Sequence, residues 1–163
     1  MRRPCALLVS GGLALLATIL VACAGPGSSP GPAARPDLTP FVGVWSRHGA
    51  GLTISPDGSF SLEWRTYRTC GQDPPPCDQF VNNLIVSGGR AVGTLRAIGS
   101  RTAVGQVTAT NDPAFAPDGS FLADITDYQL LTLRFPSAAL TLCGKSFGTA
   151  APTAVVQTHP CGG

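Results

Sequence analysis

Leu52-Thr53-Ile54-Ser55-Pro56-Asp57-Gly58-Ser59-Phe60-Ser61-Leu62-Glu63-Trp64-Arg65-Thr66-Tyr67 decides the fold. Asp57-Gly58 sits between two alternating apolar runs. That is the chemistry of a tight hairpin, because glycine tolerates positive φ and aspartate bonds its own turn. In the second run, Phe60, Leu62, Trp64 and Thr66 fall on one face at period two and are expected to be buried. Ser61, Glu63, Arg65 and Tyr67 fall on the other face, where Glu63 and Arg65 pair with neighbouring strands.

Outward from this hairpin the same texture continues. β-Branched and apolar runs, broken by turn residues every 8–12 positions, predict strands over 41–48, 51–55, 59–68, 80–87, 90–98, 102–110, 119–126, 128–135 and 138–143, with a last one at 153–158. Ala116-Pro117-Asp118-Gly119-Ser120-Phe121 repeats the turn of Ser55–Phe60, and Ser87-Gly88-Gly89 and Gly99-Ser100 mark two more turns. No window keeps a helical apolar period over ten residues. The small residues of 90–98 and 102–110 suit close approach in a curved sheet. The expected fold class is all-β, a small antiparallel meander barrel with low helix content. Gly43-Val44-Trp45 resembles the G-x-W opening of lipocalin-like barrels. That resemblance implies a Trp45 packed across the barrel base, with Arg134 covering it through a cation–π contact.

The amino terminus reads differently. Met1-Arg2-Arg3 precedes an uncharged apolar run over 6–22, the pattern of an export signal. The run has 17 residues, short of the ~20 of a spanning helix, and contains Gly11-Gly12. It ends in Leu20-Val21-Ala22-Cys23, which resembles the bacterial lipobox. The resemblance implies a diacylglyceryl group on the Cys23 thiol and cleavage between Ala22 and Cys23. Ala22-Cys23-Ala24 also fits the A-x-A site of ordinary signal peptidase, and an uncleaved anchor is a third alternative. Residues 24–40 hold five prolines and three glycines, the composition of a semi-extended tether. The domain plan is therefore a lipoprotein signal over 1–22, a lipidated Cys23 and linker over 23–40, and one folded domain over 41–163.

Charge and cysteine content narrow the classes. Of 163 residues, 11 are basic and 9 acidic, and Arg2 and Arg3 account for the whole excess. A neutral mature chain lacks the basic stripe that displaces phosphate counterions, so nucleic acid is not an expected partner. With Cys5 in the signal and Cys23 at the lipobox, Cys70, Cys77, Cys143 and Cys161 remain. An even number in an exported chain implies disulfides. Three pairings exist. Cys70–Cys77 with Cys143–Cys161 is chosen, because the first closes a short proline-rich loop and the second pins the C-terminus to the strand ending at Leu142. Their spacing does not match zinc ribbons, so no metal is expected.

No catalytic constellation stands out. Gly144-Lys145-Ser146 lacks the first glycine of a phosphate loop, whose place is taken by Ala139. Asp124 and Asp127 are three apart on a strand and point to opposite faces, although a fold that brings Asp78 or Glu63 near one of them would make a carboxylate pair. His48 shares a face with Ser46 but has no acid placed to orient it. The chain is therefore expected not to be an enzyme and to need no cofactor.

Trp45-x-x-His48-Gly49, Leu52-x-Ile54, Asp57-Gly58, Trp64-Arg65-x-Tyr67-x-x-Cys70, Cys77-Asp78, Cys143-Gly144 and Cys161-Gly162 together resemble a group of small actinobacterial exported proteins, and the lipobox and tether are similar to those of mycobacterial lipoproteins. The resemblance implies an all-β, disulfide-bonded, extracytoplasmic domain held by lipid to the outer face of the cell membrane, and it implies no particular activity. The functional expectation is a non-catalytic binding module for a small apolar or lipid ligand, with a pocket of Trp45, Phe60, Trp64, Leu84 and Val92. The alternative is a structural or interaction protein, or an inhibitor, that has a filled core and meets an envelope protein through its surface. Core volume discriminates the two.

Overall fold

The Asp57-Gly58 turn folds as its chemistry requires. Gly58 takes a φ of +86°. The Asp57 carboxylate accepts the Ser59 backbone N–H at 2.9 Å and its hydroxyl at 2.7 Å. This sets β2 (Ala50–Ile54) against β3 (Ser59–Trp64), with Leu52 opposite Leu62 and Ile54 opposite Phe60. The computed structural model describes residues 36–115 and 119–162. The signal, Cys5, Cys23 and the Pro117-Asp118 half of the second Pro-Asp-Gly turn lie outside the described residues.

The remaining strands are β1 (Gly43–Arg47), β4 (Gln79–Val81), β5 (Leu84–Val86), β6 (Gly89–Ala97), β7 (Thr102–Thr110), β8 (Ser120–Ile125), β9 (Leu130–Arg134) and β10 (Ala139–Gly144). Eight of them close an antiparallel barrel in the order β1-β10-β9-β8-β7-β6-β3-β2, while β4 and β5 form a separate two-stranded hairpin. The fold is the small meander barrel expected from the strand pattern. A bulge between Val92 and Gly93 shifts the β6–β7 register.

Alternation along each strand fills the interior. Leu52, Ile54, Phe60, Leu62, Leu95, Phe121, Leu131, Leu133 and Leu142 are buried there. A chain of rings runs through to one rim. Phe60 meets Phe121 at 5.5 Å between centroids, Phe121 meets Phe135 at 4.9 Å, Phe135 meets Phe115 at 5.1 Å, and Phe115 meets Trp64 at 4.3 Å. Glycines make room for this chain: a Cβ on Gly105 would overlap the Phe121 ring, and one on Gly89 the Trp64 indole. The small residues of β6 and β7 thus serve ring packing as well as curvature.

The two rims differ. The turns after β2, β6 and β8 lie at the rim where β1 begins, and Leu38 packs there close to Gly58. Asp37, Leu38 and Thr39, which composition assigns to the linker, are ordered. Asp37 accepts the Thr39 N–H at 2.9 Å, and the following 3-10 turn, Thr39–Phe41, buries Phe41 completely. The opposite rim carries the long β3–β6 insertion, the β7–β8 connection and the β9–β10 turn.

Three predicted strands differ. The run 59–68 stops at Trp64, because Tyr67 turns left-handed with φ 56°. The run 80–87 is two strands joined by Asn82 and Asn83, at φ 51° and 63°. The run 153–158 is instead a helical turn, α2 (Thr153–Val156), preceded by α1 (Phe147–Ala150). A closed barrel leaves no edge for another strand to join. The C-terminal segment therefore crosses the outer wall, where Cys161 bonds Cys143 and its carbonyl accepts the His48 N–H at 2.7 Å.

Both expected disulfides are present. Cys70–Cys77 spans 5.0 Å between Cα atoms, and Cys143–Cys161 spans 5.8 Å.

Candidate functional site

The β3–β6 insertion gathers the unusual chemistry of the molecule, and Asp78 organises it. This carboxylate is only 3% exposed. Its Oδ1 accepts the Thr66 N–H at 2.9 Å, the Thr66 hydroxyl at 3.1 Å and the Gly88 N–H at 2.8 Å, and its Oδ2 accepts the Tyr67 N–H at 3.0 Å. Burial alone would raise its pKa. The N–H groups of Thr66, Gly88 and Tyr67 and the Thr66 hydroxyl outweigh that effect and hold the carboxyl down, at about 2. Asp78 is ionised at every physiological pH and ties the end of β3 to the start of β6. It also anchors the Cys70–Cys77 loop through its own backbone, donating to Arg68 at 2.6 Å and accepting from Cys70 at 3.0 Å.

Above this knot stand two surfaces. The first is the β4–β5 hairpin, where Phe80, Val81, Leu84, Ile85 and Val86 are 41–71% exposed. Phe80 lies opposite Ile85 and Val81 opposite Leu84, so both faces of the ribbon are apolar. The second is a cleft of about 480 Å³ lined by Trp64, Arg65, Thr66, Arg68, Pro75, Pro76, Asp112 and Pro113. The Pro75–Pro76 bond in its wall is cis. Arg65 lies 3.5 Å from Asp78 through Nε, and its guanidinium carbon sits 4.8 Å from the centroid of the Tyr67 ring.

The five residues expected to line a pocket do not share one: Trp45 and Phe60 belong to one packed core cluster with Trp64 against it, while Leu84 and Val92 lie apart. Trp45 and Phe60 are core residues, 3% and 6% exposed. Trp64 is half-buried at the rim, where it forms one wall of the cleft. Leu84 projects from the hairpin at 71% exposure. Val92 faces outward, since its neighbours Ala91 and Gly93 take the inner positions of β6. The expected cation–π contact on Trp45 is also absent: Arg134 pairs instead with Asp124, its Nε 3.2 Å from Oδ2. The Trp45 indole N–H donates to the Phe41 carbonyl at 2.8 Å.

The carboxylates are likewise dispersed. Asp127 pairs with Arg101 and Asp124 with Arg134, while Asp78 and Glu63 belong to the opposite rim. Glu63 stands opposite Arg90 across the β3–β6 pair. Among the described residues, no group of three or more His, Cys, Asp or Glu side chains has the arrangement of a metal site. No helix among them is long and apolar enough to cross a membrane.

Sequence reasoning missed the hairpin and the role of Asp78. The signal for the hairpin was Asn82-Asn83 between two apolar triplets, since asparagine tolerates the left-handed region on both sides of a two-residue turn. No family model matches the chain, and no curated protein or solved structure matches it.

Proposed function

We propose that the chain is a lipid-anchored, extracytoplasmic, non-catalytic interaction module that works through its surface, with the β4–β5 hairpin as the contact element for an envelope protein. One observation carries this reading: five apolar side chains of a single hairpin are exposed together. An apolar cluster of this kind on a soluble domain marks a contact surface. Two further features support it. Phe60 and Phe121 pack edge to face among the buried leucines of the barrel interior, which favours a surface role over an internal pocket for a small apolar ligand. The hairpin also belongs to the insertion at the rim opposite the start of β1, where its apolar side chains are open to a partner.

Two measurements on the full chain in its own host test the reading. Labelled palmitate follows the wild-type chain and is lost with Cys23→Ser, which moves from the membrane to the soluble fraction. A photo-crosslinking residue at Leu84 gives a discrete protein adduct, and the same residue at Val44 on the outer wall does not. Lipid adducts alone at Leu84 would replace the protein partner by the bilayer.

A further inference from the structure

We infer that the cleft between Trp64 and the Cys70–Cys77 loop binds a carboxylate carried on an apolar ring. This goes beyond the surface reading above and rests on neither the anchor nor the hairpin. Arg65 supplies the main argument. Its Nε is buried without a hydrogen-bond partner, although Asp78 lies only 3.5 Å away. Asp78 is already occupied by three backbone N–H groups and a hydroxyl. It therefore fixes the guanidinium by charge without consuming its donors, and the Tyr67 ring holds one face. Among the described residues, the Nη groups of Arg65 make no hydrogen bond. The Arg68 guanidinium makes neither a hydrogen bond nor an ion pair among them. A guanidinium held in place with its two Nη groups unspent matches the two oxygens of a carboxylate.

The rest of the wall sets what the carboxylate is attached to. Trp64, Pro75, Pro76 and Pro113 are flat or rigid apolar surfaces, and the volume of about 480 Å³ is that of a small-molecule site. Charge sets the valence. Arg65 and Arg68 stand against two carboxylates, Asp112 in the same lining and Asp78 3.5 Å from the Arg65 Nε, so the formal charges cancel and leave no excess field for a dianion. It recognises a single carboxylate by geometry, with the ring against Trp64.

Two-dimensional NMR of the oxidised full chain tests this, with phenylacetate as probe. The expected result is a saturable shift of the Arg65 Nε–H and Trp64 indole N–H resonances. Phenylethanol, which lacks the carboxylate, and inorganic phosphate give none. Arg68→Gln weakens binding roughly tenfold. Arg65→Lys, which keeps the charge and loses the fork, weakens it at least as much, and the unchanged remainder of its spectrum shows that it is folded. The peptide Gly-Gly-Phe with a free or an amidated C-terminus separates the sources: shifts from the free form alone extend the site to peptide ends, while shifts from phenylacetate only confine it to small acids. No saturable shift up to ~10 mM phenylacetate overturns the inference. So do equal shifts with phosphate, or undiminished binding by both arginine variants.

Discussion

The indole N–H of Trp45 donates to the main-chain carbonyl of Phe41, 2.8 Å away and four residues earlier. Both residues are buried, at 3% and 0% exposure, so this bond folds the incoming chain over the rim and seals it. Trp45→Phe keeps most of the apolar contact and leaves the Phe41 carbonyl buried without a partner. The expected loss is roughly 1–3 kcal/mol in urea unfolding. Arg134→Gln, by contrast, breaks only a surface ion pair with Asp124 and shifts stability by less than about 1 kcal/mol. An equal loss in both variants would mean that the guanidinium, not the carbonyl, supports the indole.

Acid sensitivity is expected to follow from Asp78. Its folded pKa of about 2 lies below the ordinary 3.8, so the native state favours the ionised form. The stabilisation is complete above about pH 4 and is lost as pH falls through about 2, with a total on the order of 2 kcal/mol. Thr39 and Ser59 also hold the exposed Asp37 and Asp57 low, so the informative quantity is the difference between the wild type and Asp78→Asn. Urea midpoints measured from pH 5 to pH 2 should converge for the two proteins at the acid end. Parallel curves would remove Asp78 as the source.

The disulfides close loops of different size. In the chain-entropy account, Cys70–Cys77, seven residues apart, stabilises by roughly 2.5 kcal/mol, and Cys143–Cys161, eighteen apart, by roughly 3 kcal/mol. Paired Cys→Ser variants should therefore rank in that order by calorimetric melting. The Cys143/Cys161 variant should also lose protection from hydrogen exchange at the His48 amide, which donates to Cys161.

Gly105 and Leu84 make a contrasting pair. Gly105→Val drives two methyl groups into the Phe121 ring and should destabilise by roughly 1–3 kcal/mol. Leu84→Ser removes a large apolar side chain that touches little and should stay within about 0.5 kcal/mol of the wild type, while binding of a hydrophobic dye falls. A large stability loss at Leu84 would show that the hairpin is packed in solution.

The barrel was legible because its determinants are local. Asp57-Gly58 and the alternation of Phe60, Leu62 and Trp64 each carry their meaning within a few residues, and the structure realises them directly. The disulfide loop was legible for the same reason. What failed was long-range. Val155 and Val156 have strand chemistry, yet closure of β1 on β10 left no edge for them. Leu84 looks like a core residue until Asn82 and Asn83 turn the chain away from the wall. Asp78 reads as one more surface acid, because the three N–H groups that bury it come from residues ten to twelve positions away.

Strands β3 and β6 are hydrogen-bonded neighbours in the wall, although 24 residues separate Trp64 from Gly89, the pair that closes their ladder. Whatever lies between them is an excursion from a seam that is already sewn. Apart from Asp78 and the Cys70–Cys77 loop, its length, tip and side chains are free to drift while the cylinder beneath stays the same. Specificity can thus diverge on a constant chassis, and related chains should differ most between these two residues.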